Sequence, residues 1–313
     1  MIRYIIRRLL ITIPVLFGIS VITFLLVRLI PGDTVTVLLG NRYNEQLAAE
    51  MMERYGLDKP LYVQYGIWIS DVLRGDFGKS SFSGDPVLTS ILERLPVTLE
   101  LAVISVLFAV VIGIPLGVWA AYRRNSPPDY AATFLGLLGI SVPGFWLGTL
   151  LVLFFSLKLG WFPSGGFTPL WQDPLDNLRR MAMPGVALGA AVSAVVMRMT
   201  RSTVLEVLDQ DYMKMARAKG VPARLLVIRH ALKNAMIPII TVLGIQIGYL
   251  IGGSVVIEQI FSLPGVGRLA LQSITNRDYT LMQGTILFVA FCFVLINFVV
   301  DLIYALLNPR IRY

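Results

Sequence analysis

The sequence predicts an all-α polytopic membrane protein with six transmembrane helices, and three observations carry that prediction. Of 313 residues, 56% are apolar and 15% charged, with a mean hydropathy of +0.73, outside the range of ordinary soluble domains. The apolar residues come in long blocks parted by short basic or longer mixed stretches, the pattern of a single membrane domain over residues 1–313. The basic residues fall mainly in alternate connections between those blocks.

Taken in order, the blocks are Leu9–Ile30, Pro96–Tyr122, Tyr130–Leu157, Met181–Thr200, Ala235–Ile257 and Leu281–Leu306. Each is long enough for about 30 Å of hydrocarbon at about 1.5 Å per residue. The first follows Arg3, Arg7 and Arg8 as a signal peptide would, but its apolar run is too long for a cleaved segment and predicts a retained span. Pro14, Pro115, Pro143 and Pro238 fall within or at the ends of blocks and predict kinks, which a bundle tolerates because neighbours satisfy the freed carbonyls.

Residues 31–95 form a long segment on the outer side. Turn signals stand at Pro31-Gly32-Asp33 and Arg74-Gly75-Asp76, and amphipathic helices are expected over Asn44–Tyr55 and Leu61–Leu73. Placing both termini in the cytoplasm puts 15 of the 27 Lys/Arg inside, with only Asp129, Glu206, Asp209, Asp211 and Asp301 as acids there. The net charge of +8 is therefore set by topology and predicts no nucleic-acid partner.

Catalytic chemistry finds little to work with. Leu73 to Ser80 ends in Gly78-Lys79-Ser80 like a phosphate-binding loop, but Leu73 stands where glycine is required, on the outer side and without the strand-to-helix context. His230 is the single histidine and Cys292 the single cysteine, so neither a nucleophile–base pair nor a metal site is expected. Among intramembrane ionisable groups only Asp301 stands out, four residues after Asn297 on one helix face; a secondary transporter usually needs more. Gln246 and Tyr249, among Gly244, Gly248, Gly252 and Gly253, are the other candidates for a polar pathway, although close helix packing accounts for the glycines equally well.

The informative segment is the inner loop Arg201–Pro238, which predicts helix, break, helix. Gly220 suits the left-handed C′ position and Pro222 the first turn of the next helix. Ala216, Ala218 and Gly220 make a small-residue surface flanked by Arg217, Lys219, Arg224 and Arg229, fit for close approach of another protein. The residues alone leave a docking site and an ordinary basic loop both open.

The stretch from Asp211-Tyr212-Met213 to Gly220, followed by Arg229-His230 through Pro238, resembles the EAA coupling motif of ABC importer permeases. Ala216, Gly220 and Leu232 match; Lys214 and Met215 replace the Glu and first Ala, and Lys233 replaces the Pro, as in the dipeptide, oligopeptide and glutathione branch. Ile30 to Asp33, Gly56 to Leu61, Arg74 to Gly78, Phe261 to Arg268, Arg277-Asp278-Tyr279 and Asn308-Pro309-Arg310 resemble the first permease subunit of that branch in order along the chain. The resemblance implies a type I permease fold in a bacterial or archaeal cytoplasmic membrane. It implies a homologous second permease, two cytoplasmic ATPases that hold the ATP and magnesium, and an extracytoplasmic binding protein. It also implies that Tyr212, Ala216, Arg217, Ala218, Lys219, Gly220, Arg229 and His230 serve the ATPase contact. Related permeases carry peptides, nickel, metal chelates or oligosaccharides, and a transporter working without ATPases is the competing reading.

Overall fold

The computed structural model describes residues 2–29, 44, 46 and 58–307. Among these there is no β-strand, and the one isolated bridge joins Lys79 to Pro86. Helix α1 (Ile2–Leu29) carries the short helix α2 (Leu61–Leu73) on its flank. The ring of Phe24 lies 5.5 Å from that of Tyr65 and 5.8 Å from that of Trp68, and the Ser20 and Tyr65 hydroxyls are 2.8 Å apart. The helix expected over Asn44–Tyr55 lies outside the described residues except for Asn44 and Gln46.

Helix α3 (Val87–Tyr122) starts at Val87, well before Pro96, because Val87 and Ile91 are fully buried against Val266, Leu269 and Leu281. That apolar anchor extends the helix through a polar stretch beyond the hydrophobic block. The third block departs from expectation. It is a pair, α4 (Pro127–Ser141) and α5 (Gly144–Leu151, continuing as a π-helical turn Val152–Lys158), bent by 99°. Val142 has φ −79° and ψ 120°, as the proline after it demands, and Pro143 withholds the N–H that would carry the helix on. Among the described residues five helices are thus long and apolar enough to cross a membrane, and the bent pair makes six if it counts as one span.

Helix α6 (Pro174–Leu208) is the axis of the bundle. Asp173 caps it, its carboxylate accepting from the Leu175 and Asp176 N–H groups at 3.0 Å, and Pro174 occupies the first turn. The most apolar stretch of α6 is 61% buried, against 22% in α1 and 11% in the last helix, which leaves those two facing lipid or partners. Gly113 and Gly117 let α3 lie directly on α6: a Cβ there would sit 2.7 Å from the Ser193 carbonyl oxygen and 2.5 Å from that of Met197. Beyond α6 come α7 (Asp211–Ala218), then a turn Ala223–Leu225 and a π-helical turn Leu226–Ala231 that lead into α8 (Leu232–Ile260). Short α9 (Val266–Thr275) and the last helix α10 (Tyr279–Leu307) complete the chain.

The end of the bundle opposite α7 is closed by two buried carboxylates. Glu258, fully buried, accepts from the Thr98 and Ser254 hydroxyls at 2.8 and 3.0 Å and from the Arg268 N–H at 2.7 Å, so it caps α9 from α8. A Cβ on Gly265 would fall 2.3 Å from that carboxyl, which explains the glycine. Asp278 accepts from the Ser80 hydroxyl at 2.5 Å and the Leu281 N–H at 3.1 Å, tying the turn after α2 to the start of α10. The stretches Arg74 to Gly78, Phe261 to Arg268 and Arg277 to Tyr279 are therefore parts of this closure. The Ser80 hydroxyl is committed there as well.

Candidate functional site

Helix α7 stands between α6 and α8 at the end of the bundle away from Glu258. Met213, 1% exposed, is its anchor, packed in a cluster with Val204, Leu226, Val227, Ala231 and Ala235, against which Ala216 and Val221 also lie. The Tyr212 hydroxyl accepts a hydrogen bond from the Asn234 amide at 2.8 Å, fastening α7 to α8 from the other side. Asp211 in the first turn and Arg217 in the last complement the helix dipole.

The helix ends as its sequence requires. Gly220 has φ +78°, its N–H bonds the Arg217 carbonyl at 3.0 Å, and the Val221 N–H reaches the Ala216 carbonyl at 3.3 Å. These two bonds make a Schellman motif, and Val221 and Ala216 both pack against the core cluster around Met213. Nothing lies within 4 Å of a Cβ built on Gly220, so its backbone conformation, not crowding, selects glycine.

The outward surface differs in one respect from the small-residue patch expected. Ala216 turns toward the core and is half-buried, while Ala218, Arg217, Lys219 and Gly220 are exposed. Met215, 61% exposed, and Tyr212, 47% exposed, add an apolar stripe. The three-residue spacing of Tyr212, Met215 and Ala218, out of phase with Met213 and Ala216, is the signal that locates this stripe. His230 is exposed in the π-helical turn, where its carbonyl accepts from Asn234 at 3.2 Å, and Arg229 precedes it on the same turn.

Below α7, Arg201 makes two bonds to Asp129, Nε to Oδ1 at 2.5 Å and Nη2 to Oδ2 at 2.9 Å. The carboxyl is 2% exposed and also accepts from the Asn125 N–H at 2.9 Å. Bidentate pairing of this kind fixes orientation as well as distance, so the α3–α4 turn is locked onto α6 just ahead of α7.

The other candidates lie elsewhere in the bundle. Gln246 is half-buried and Tyr249 68% exposed on α8. Asn297 donates to the Phe293 carbonyl at 2.8 Å and lies beside Gly248. Asp301 pairs with Arg8 of α1 at 3.0 Å. The buried ionisable group that the sequence reading overlooked is Glu258. It sits just past the expected end of the fifth block at Ile257 but inside α8, and no local pattern announces its partners.

Residues 113–313 match the family model described as binding-protein-dependent transport system inner membrane component, and residues 1–102 match the N-terminal model of the same transport systems. The chain belongs to that permease family. The permease is 44% identical over 313 residues to the glutathione transport system permease protein GsiC of Escherichia coli (strain K12), covering 100% of both chains. It is 40% identical over 337 residues to the dipeptide transport system permease protein DppB of Alkalihalophilus pseudofirmus, again over 100% of both. Among solved structures, the permease resembles a chain of the MetNI methionine ABC transporter in an inward-facing conformation, with a TM-score of 0.59, 20% identity, and coverage of 70% of this chain and 96% of that one. The fold is thus that of an ABC importer permease, and the chain is a transport component.

Proposed function

We propose that the permease forms half of the translocation pathway of an ATP-driven importer of peptides and that α7 is its contact with a cytoplasmic ATPase. The observation that carries the proposal is the construction of α7. It presents Tyr212, Met215 and Ala218 outward within a rim of Arg217 and Lys219, while Met213 and the Tyr212–Asn234 bond hold it against α6 and α8. A helix so anchored moves with the spans on either side, so a displaced ATPase cleft transmits its motion as a rigid push. Peptide cargo is supported by the dipeptide and glutathione permeases that this chain matches over its whole length.

The partners in this reading are a homologous second permease, two ATPases that bind the ATP and magnesium, an extracytoplasmic binding protein and the surrounding lipid. The permease itself contributes no catalytic residue and no cofactor. Both termini lie in the cytoplasm, with Arg201–Pro238 on that side. Gln246, Tyr249, Asn297 and Asp301 are assigned to the pathway or its packing, Asn297 and Asp301 having neighbours within the chain that fit the packing role. The test is uptake of a labelled dipeptide by proteoliposomes holding the full complex. Uptake that needs ATP and both ATPases is expected, and equal uptake without them would overturn the reading.

A further inference from the structure

At the outer end of α1 a cavity of about 550 Å³ opens between α1, α2, the turn over residues 76–81 and the first turn of α10. Its walls carry charge of both signs, Arg28 and Lys79 against Asp71 and Asp76. Two of these are engaged: the Asp76 carboxylate accepts from the Gly78 N–H at 2.8 Å, and the Arg28 guanidinium lies 5.3 Å from the centre of the Phe24 ring. Lys79 and Asp71 are different. Among the described residues neither side chain makes an ion pair or a hydrogen bond, though both face one cavity. Opposite charges on one wall that leave each other unpaired suit a ligand that is itself a zwitterion.

Position narrows the ligand. Arg28 is in the last turn of a span covering Ile5–Leu29, which places the cavity at head-group depth. The flank of α1 beside Arg28 is apolar and open, with Leu25 39% and Leu29 76% exposed, and Ile67 lies on the cavity wall. A soluble zwitterion has no use for that flank, whereas acyl chains do. We infer that the cavity binds the head group of a phosphoethanolamine lipid, with Lys79 on the phosphate, Asp71 accepting from the primary ammonium, and the acyl chains along Leu25 and Leu29.

The test uses the assembled importer in nanodiscs of equal parts phosphatidylethanolamine, phosphatidylcholine and phosphatidylglycerol. After detergent extraction, the retained lipids are quantified by mass spectrometry. Wild type is expected to retain the ethanolamine lipid above both others, since a choline group cannot donate to Asp71 and glycerol carries no cation. Asp71→Asn is expected to lower the ethanolamine-to-choline ratio about tenfold, the loss of one charge-assisted hydrogen bond. Lys79→Gln is expected to lower retention of all three lipids. Neither substitution removes a bond within the protein, so insertion levels serve as the control. Retained lipid that mirrors the bulk mixture, a ratio unchanged by Asp71→Asn, or displacement of the lipid by excess dialanine would each overturn the inference. The readout does not depend on which face is cytoplasmic, so it stands apart from the orientation proposed above.

Discussion

Gly220 offers the sharpest perturbation of the proposed contact. Replacing it with leucine puts a branched side chain at φ +78°, where an L-residue pays about 1–2 kcal/mol. That penalty shifts the ratio of capped to uncapped α7 by a factor of roughly 5–30, against the Schellman bonds from Gly220 to Arg217 and Val221 to Ala216. No atom lies within 4 Å of the new Cβ, so the substitution strains the backbone and enlarges the surface without touching the core around Met213. Asparagine separates the two effects, because it tolerates the left-handed conformation while still adding bulk. The assay is peptide-stimulated ATP hydrolysis by the reconstituted complex, with membrane insertion followed by immunoblot. Gly220→Leu is expected to insert normally and lose stimulated hydrolysis, and Gly220→Asn to retain a large part if backbone geometry is what matters. A Leu variant with normal stimulated hydrolysis and uptake would refute the reasoning.

Three further outcomes are expected. Cysteines introduced at Ser83 and Ser126 are to be labelled from opposite faces of sealed vesicles, and labelling from one face would end the proposed orientation. Gly265→Ala forces a methyl group to within 2.3 Å of the Glu258 carboxyl. It is expected to lower the melting temperature of the purified permease by several degrees, the effect of about 1–3 kcal/mol of overpacking; an unchanged melting curve would show that the Glu258 cap yields freely. Asp129→Asn leaves Arg201 half of a buried bidentate pair, and a cost of about 3 kcal/mol or more is expected, read as reduced insertion or thermal stability and relieved when Arg201→Met removes the stranded charge.

Much of the architecture was legible because it is written in hydrophobic runs. The cores of α1, α3, α6, α8 and α10 follow from them, and the stop at Gly220 follows from local backbone chemistry. A kink at Pro143 was expected, but a break of 99° was not legible, since hydropathy runs unbroken through it and other prolines, such as Pro115 and Pro238, stay inside helices. The early start of α3 was hidden for the opposite reason: its polar first turns are held by distant contacts of Val87 and Ile91. The candidate site divides in the same way. Its small residues and basic rim could be read along the chain, but the inward turn of Ala216, the Tyr212–Asn234 bond and the Arg201–Asp129 clasp depend on residues brought together only by the fold. Glu258 escaped notice because its three donors come from α3, α8 and α9.

The most direct test of the central claim is site-specific cross-linking from α7 in the assembled importer. Cysteine placed at Met215 or Ala218, on the outward face of α7, is expected to form a cross-link to the ATPase subunit that is prevented by Gly220→Leu. Cysteine at Ser83, on the opposite side, is expected to form none. An intact complex that transports peptide but yields no cross-link from either α7 position would contradict the assignment of this helix as the point where ATP-driven motion enters the permease.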